Sequence, residues 1–377
     1  MVDGGLRLTT LVLLLLLCSI SVFLPNIMRV KASRTIYIRA DGSVEGTDTI
    51  QRNGNVYTFT DNIYNSLIVE RDNIVVDGAG HSIEEAHASL AQSPEGIGIL
   101  LDSRSNVTVS DVAIQYFMYG ICINSSSDNC IINCNITNNS KGIFIKHSSH
   151  NKVRESQITN NMNIGIYVFE SSDTNIRNNM IENNMDDGIS LVLSSDNTVV
   201  SCNIRDNGVG IRIMNSSITP LITWNNITSN GIGIHLEASS APIQYNNIAT
   251  NGIGIQLAGS DNIIDRNNFI NNTKQVYDVA WDNPEMSPSV NTWYSGDTGN
   301  YWSDYNGTGA YEIDENNKDN FPVMKPFTIP PPTCPPDTTT GDFTTSSILW
   351  SAIIITAIAV VLVVYFGKIR NTEKNRK

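Results

Sequence analysis

Apolar residues recur along this chain in a short phrase, Gly-Ile-x-Ile/Leu/Val, separated by polar returns. It stands at Gly98-Ile99-Leu100-Leu101, Gly120-Ile121-Cys122-Ile123, Gly142-Ile143-Phe144-Ile145 and Gly165-Ile166-Tyr167-Val168. It continues at Gly188-Ile189-Ser190-Leu191, Gly210-Ile211-Arg212-Ile213, Gly233-Ile234-His235-Leu236 and Gly254-Ile255-Gln256-Leu257. The glycines are 22, 22, 23, 23, 22, 23 and 21 residues apart. Between them, short runs of alternating apolar and polar residues are broken by Asn, Gly and Ser-Asp. Alternation predicts short strands, and copies at a near-fixed period predict one unit, repeated and stacked. Three short strands and tight turns per period fit an all-β parallel β-helix, with coils about 4.8 Å apart.

Three columns sharpen this reading. An apolar column runs Ile136, Ile158, Ile181, Ile204, Ile227, Ile248, Phe269. Three residues later runs Asn139, Asn161, Asn184, Asn207, Asn230, Asn251, Asn272. Two residues before the apolar column runs Cys134, Ser156, Asn179, Cys202, Asn225, Asn246, Asn267. Stacked amides satisfy buried turns that water cannot reach, and Asn tolerates the left-handed backbone of such turns. In the opening phrase the glycine is read as turning the chain, while alternate apolar residues fill the coil. A leucine-rich repeat has a similar period. It needs dense Leu and a helical return, whereas these returns are rich in Asn, Ser and Asp.

The remaining stretches divide the chain. Residues 1–32, with an apolar run from Leu8 to Leu24, read as a secretory signal peptide. Residues 33–95 are less regular and read as an N-terminal cap with the first irregular coils, and 96–272 are the regular repeats. Residues 273–328 concentrate Trp and Tyr and read as a C-terminal cap. A Pro/Thr-rich stalk spans 329–347. Residues 348–366 are nearly all apolar, enough for a transmembrane helix, and 367–377 form a basic tail. Lys368, Arg370, Lys374, Arg376 and Lys377 place that tail in the cytoplasm, so a single-pass membrane protein displays its repeats outside the cell.

The whole chain carries 24 basic and 37 acidic residues. Setting aside Arg7, Arg29, Lys31, the tail cations, Asp3 and Glu373, residues 33–347 keep 16 basic and 35 acidic, a balance near −19. That excludes a nucleic-acid partner, whose phosphates demand basic surface. The cysteines form no CxxC and no disulfide framework. Cys134 and Cys202 sit in one inward column three coils apart, about 14 Å, too far to bridge.

Three stretches resemble the NosD-like, carbohydrate-binding and sugar-hydrolase type of right-handed parallel β-helix, common in archaeal surface proteins. The first is Ile36-Tyr37-Ile38-Arg39-Ala40-Asp41-Gly42-Ser43 with Val69-Glu70-Arg71-Asp72-Asn73-Ile74-Val75-Val76-Asp77-Gly78-Ala79-Gly80. The second is the Asn-Asn-x-Ile-x-x-Asn…Gly-Ile-x-Leu repeat. The third is Gly299-Asn300-Tyr301-Trp302-Ser303-Asp304-Tyr305. The match covers roughly residues 34–328. It implies a right-handed coil and a carbohydrate or other surface macromolecule as partner. Relatives follow the third stretch with an Asp-rich loop. Here Asn306 to Asp314 carries fewer acids, which weakens any implied calcium site.

Several residues are candidates for chemistry. A hydrolase or lyase would need facing carboxylates, and Asp186-Asp187 is the best pair, joined by Glu170 or Asp206. Aromatic rings at Trp293, Tyr301, Trp302 and Tyr305 are candidates to stack on sugar, against the alternative that they seal the last coil. Asp128, Asp173, Asp196 and Asp261 form an acidic column in which calcium is possible, although Asp caps such turns without metal. The NosD resemblance raises copper, but the five histidines are scattered, and no metal-ligand set is assigned. Among the Asn-x-Ser/Thr sequons, Asn215 and Asn306 are the expected glycosylation sites. A surface binding protein is the leading expectation, with a polysaccharide hydrolase or lyase and a copper-handling accessory as alternatives.

Overall fold

The computed structural model describes residues 35–85, 95–215, 220–279, 281, 283 and 288–330. The signal peptide, most of the stalk, the transmembrane helix and the tail read from the sequence lie outside them. Among the described residues there is no α-helix. Thirty-five short strands build three long sheets of 12, 11 and 10 strands and a two-stranded sheet. Each coil visits the three long sheets in turn. One coil runs through Val209–Met214, Leu221–Thr223 and Asn226–Thr228, and Ile232–Glu237 opens the next. Equivalent strands of successive coils pair in parallel and in register, as in Ile211↔Ile234 and Ile213↔Leu236. The architecture is a right-handed parallel β-helix of about ten turns.

The strand pattern follows from which residues point inward. Ile136, Ile158, Ile181, Ile204, Ile227, Ile248 and Phe269 are all at 0% exposure and form one continuous core column. Burial of an aliphatic side chain stabilises by about 1.5–3 kcal/mol, and here each ring of side chains is repeated coil after coil. The corners are made by residues with left-handed backbone. Asn138, Asn160, Asn183 and Asp206 have φ of 55–58° at one corner. Asp128, His150, Asp173 and Asp196 have φ of 52–59° at another. The left-handed backbone accounts for Asp128, Asp173, Asp196 and Asp261 of the acidic column, which His150 interrupts.

The Asn column forms a ladder beside the first sheet. Asn207 donates through Nδ2 to Asn230 Oδ1 at 3.1 Å, and Asn230 does the same to Asn251 at 3.1 Å. The backbone N–H of each is also received by the next Oδ1, as in Asn207 N to Asn230 Oδ1 at 3.0 Å. The opening glycines serve this packing rather than turning the chain. None of the eight has positive φ. A Cβ on Gly210 would lie 2.6 Å from the Gly233 carbonyl oxygen and 3.1 Å from Asn230 Nδ2. Close approach of the next coil demands glycine here. Gly210→Ala is expected to cost about 1–3 kcal/mol by overpacking, read from urea denaturation. An unchanged midpoint would remove this explanation.

The ends differ from the sequence reading in detail. Ile36–Ile38 already pairs in parallel with Leu67–Val69, so the first rung begins inside the cap. The antiparallel partner Val44–Glu45 covers its outer edge. At the other end, Lys274–Asp278 continues the first sheet and Tyr301–Trp302 the third. Residues 274–302 thus make one more coil, its period stretched by insertions at the corners, and the antiparallel pair Tyr311–Glu312 and Lys318–Asp319 follows it.

Candidate functional site

The outward face of the first sheet carries the most concentrated chemistry. Register places Phe144, Tyr167, Ser190, Arg212, His235, Gln256 and Tyr277 in one column, a residue per coil. A strand's alternation puts these side chains outside because their neighbours fill the core. Tyr119, Phe144 and Tyr167 stack face to face, with centroids 5.2 and 5.1 Å apart. The column then becomes polar.

Asp187 opens the strand Asp187–Val192 and is buried. Arg212 Nε lies 3.0 and 2.8 Å from its two carboxylate oxygens. Arg212 NH1 meets His235 Nδ1 at 2.6 Å. Guanidinium nitrogens only donate, so Nδ1 accepts and the imidazole proton sits on Nε2. That proton faces Glu237 Oε1 at 3.0 Å. The result is an ordered chain, Asp187–Arg212–His235–Glu237, crossing three coils. The Asp187 carboxylate, aided by its charge, pushes Arg212 above its ordinary value. Burial, then the Arg212 charge, pulls His235 below its ordinary value.

A pH response follows. The unfolded chain binds a proton at His235 more readily than the folded one does. Stability is therefore full above the ordinary histidine value of 6.5 and falls as pH drops through it toward the lower folded value. Asp187 and Glu237 face the same imidazole and oppose the shift without reversing it. The thermal midpoint should fall more between pH 7 and 5 in the wild type than in His235→Gln. Equal falls would refute the neutral imidazole.

The sequence candidates are placed as follows. Asp186 is exposed while Asp187 is buried against Arg212, so the adjacent pair does not form facing carboxylates. Glu170 pairs with His147 at 3.0 Å and Asp206 with Arg205 at 3.2 Å, neither joining Asp187. Trp293 and Trp302 are buried, at 0% and 1% exposure. Trp302 is sandwiched by Phe269 at 4.2 Å and Tyr311 at 4.1 Å, so neither of its faces is open to a ligand. Tyr301 and Tyr305 are partly exposed. Asn215 and Asn306 are exposed, and Asn306 Oδ1 accepts from Thr308 N at 3.0 Å in its own sequon. Arg212 and His235 are legible in the sequence as outward strand positions where function is to be sought, but their joining with Asp187 is not, because the members lie 25 and 23 residues apart along the chain. The coil period was the signal that joins them.

This geometry defines a class: the protein is a right-handed parallel β-helix with a structured outer strand face. Residues 97–248 match the family described as right handed beta helix region. Residues 214–307 match the family described as periplasmic copper-binding protein (NosD). Together with the observed fold, the two matches support a NosD-like right-handed β-helix repeat protein. Among solved structures it is similar to a tailspike mutant of E. coli bacteriophage HK620 in complex with pentasaccharide, at 12% identity and TM-score 0.50, covering 66% of this chain and 53% of that one. It is also similar to the Azotobacter vinelandii mannuronan C-5 epimerase AlgE6 A-module, at 14% identity and TM-score 0.42, covering 71% and 91%. The periplasmic alginate epimerase AlgG gives 16% identity and TM-score 0.43, covering 51% of this chain and 48% of that one. The chain thus spans about half the length of that epimerase. No curated protein matches it.

The copper named by the matched family would need clustered His, Met or Cys ligands. His235 is the one histidine between 214 and 307, and no cysteine falls there. Both its ring nitrogens are engaged, and a guanidinium abuts it. A cation would be repelled there, so the described residues of this stretch do not fit a copper centre.

Proposed function

We propose that this protein is a cell-surface carbohydrate-binding β-helix, displayed outside the membrane by the apolar segment 348–366. The observation that carries the reading is the outward strip of the first sheet. A rigid aromatic spine there leads directly into the Asp187–Arg212–His235–Glu237 chain, which is positioned by hydrogen bonds before any ligand arrives. Pre-ordered side chains lower the entropy cost of binding a flexible polymer. Solved proteins of the same fold include polysaccharide-acting enzymes and a saccharide complex, which agrees with the reading. Binding is favoured over hydrolysis because the buried Asp187 is ion-paired with Arg212 and none of Asp186, Glu170 and Asp206 faces it as a second carboxylate.

A glycan screen of the purified protein, with product analysis of each hit, tests the binding. Tyr167→Ala is expected to lower affinity for the hit roughly tenfold while Asn306→Gln leaves it unchanged. A binding loss that follows Tyr305→Ala and spares Tyr167→Ala would move the site to the C-terminal end. Cleavage of the hit, lost in Asp187→Asn, would replace binding with catalysis. A chain ending at residue 347 should leave the membrane fraction, and its retention there would refute the anchor.

A further inference from the structure

The carbohydrate reading leaves the charge of the ligand open, and the spine itself carries an answer. The strand Lys141–Lys146 presents Lys141, Phe144 and Lys146 on the outward face, partly exposed, while Gly142, Ile143 and Ile145 are buried. Lys141 Nζ stands 5.5 Å from the Tyr119 ring centroid and Lys146 Nζ 5.8 Å from that of Phe144. Neither ammonium meets a carboxylate among the described residues. Arg39, Arg104, Arg205, Arg212 and Arg266 each do. Lys152, Arg154 and Arg177 also meet no carboxylate but lie on another sheet, so what sets Lys141 and Lys146 apart is their place on the aromatic strand face.

The rings between them are turned to a particular use. Phe144 and Tyr167 lie 10° from parallel, so their inner faces are spent on each other. What they present outward is edge and hydroxyl. The hydroxyls of Tyr119 and Tyr167 have no protein partner among the described residues. Burial, aided by the Asp187 and Tyr119 charges, raises Tyr167 above its ordinary value and keeps its hydroxyl a donor. Lys141 and Lys146 are five residues apart, roughly 16 Å along an extended strand. The surface therefore offers donors and two separated cations, while the carboxylate of Asp102, two rungs from Lys146, is held by Asn124 Nδ2 at 2.6 Å.

We propose that this strand face is a subsite for an acidic saccharide, a uronate-bearing chain whose carboxylates pair with Lys141 and Lys146 while its ring oxygens accept from Tyr119 and Tyr167. The proposal rests on the carbohydrate reading and adds the charge of the ligand to it. Charge-assisted pairs on a partly exposed face give selectivity that weakens with salt.

The test is calorimetric titration of the full chain with hexauronates in α and β linkage, each beside the neutral hexose hexamer of the same linkage. A hexauronate should bind at least about tenfold tighter than its neutral counterpart at low salt, and the gap should narrow as salt rises. The Lys141→Gln, Lys146→Gln double variant should lose the gap and keep neutral-hexamer binding and its β-rich circular dichroism. Equal binding of acidic and neutral hexamers, or a gap that survives in the double variant, would overturn this proposal alone. Binding of neither class would overturn the carbohydrate reading together with it.

Discussion

Trp302→Ala should destabilise the protein by about 3–5 kcal/mol and unravel its last coil first. Trp302 occupies the core column that ends the run of isoleucines, because Phe269 pairs in register with it. Its ring lies between Phe269 and Tyr311, within 9° and 6° of parallel. Trp293 closes a third side, with ring centroids 5.8 Å apart. Its indole Nε1–H donates to Asp319 Oδ2 at 3.0 Å. Asp319 also receives the Asn300 backbone N–H at 2.7 Å, and burial nonetheless holds its carboxyl above the ordinary value. Alanine would empty the column's end and take one donor from a buried acid. In a solenoid each coil is held by its neighbours, so the loss should appear as early hydrogen exchange in Asn268–Ile270 and spread inward. Trp302→Phe keeps most of the packing and should lose only about 1–2 kcal/mol, the share of the buried hydrogen bond. Alanine and phenylalanine variants of equal stability would show that the ring stack is not what closes this end.

Asn207→Ala should cost roughly 3 kcal/mol in the middle of the solenoid, with no change at the surface. Its Oδ1 receives Asn184 N and Asn184 Nδ2, each at 3.0 Å. Its Nδ2 donates to Arg205 O at 3.0 Å and Ile181 O at 3.2 Å. Truncation leaves the buried Asn184 N–H without its acceptor and takes one of two acceptors from the Asn184 amide, which keeps Ile158 O at 3.2 Å; an orphaned donor costs about 1–3 kcal/mol. Serine is a milder replacement. The neighbouring column already uses it, where Ser156 Oγ accepts from Cys134 N at 3.2 Å. Denaturation should therefore rank wild type, Asn207→Ser and Asn207→Ala in falling stability. An alanine variant as stable as wild type would mean that water or a backbone shift replaces the ladder.

Trp293, Tyr301, Trp302 and Tyr305 attract attention as sugar-stacking residues because large aromatics cluster where the period fails. The structure shows the period stretched there, not lost. Asn300-Tyr301-Trp302 repeats the phrase of Asn267-Asn268-Phe269, and Asn267 Nδ2 donates to Asn300 Oδ1 at 3.1 Å. The ladder runs on from Asn300 to Asp319, with Asn300 Nδ2 at 3.5 Å from Asp319 Oδ2. A second ladder runs from Asn262 to Asn291 and Asn317. Insertions of unequal length hide this spacing along the chain, although the Asn-x-apolar phrase itself was there to be found. The acidic pair has the opposite history. Adjacent carboxylates suggest a shared site, but Asp186 stands exposed just before the strand, while Asp187 opens the strand and is held by Arg212.

The sequence by itself determined the coil. A period of 21 to 23 residues, with isoleucine and asparagine returning at fixed offsets, permits one stacked arrangement, because each side chain must meet its own copy one rung away. What it left undecided depends on contacts between different columns. The glycine reads as a turn until the next coil's carbonyl is seen 2.6 Å from where its Cβ would stand. Asp187 reads as a free carboxylate until Arg212, one coil on, is found holding it. Such diagonals are set by side-chain reach and burial, which no period along the chain encodes, so only the tertiary structure could decide them.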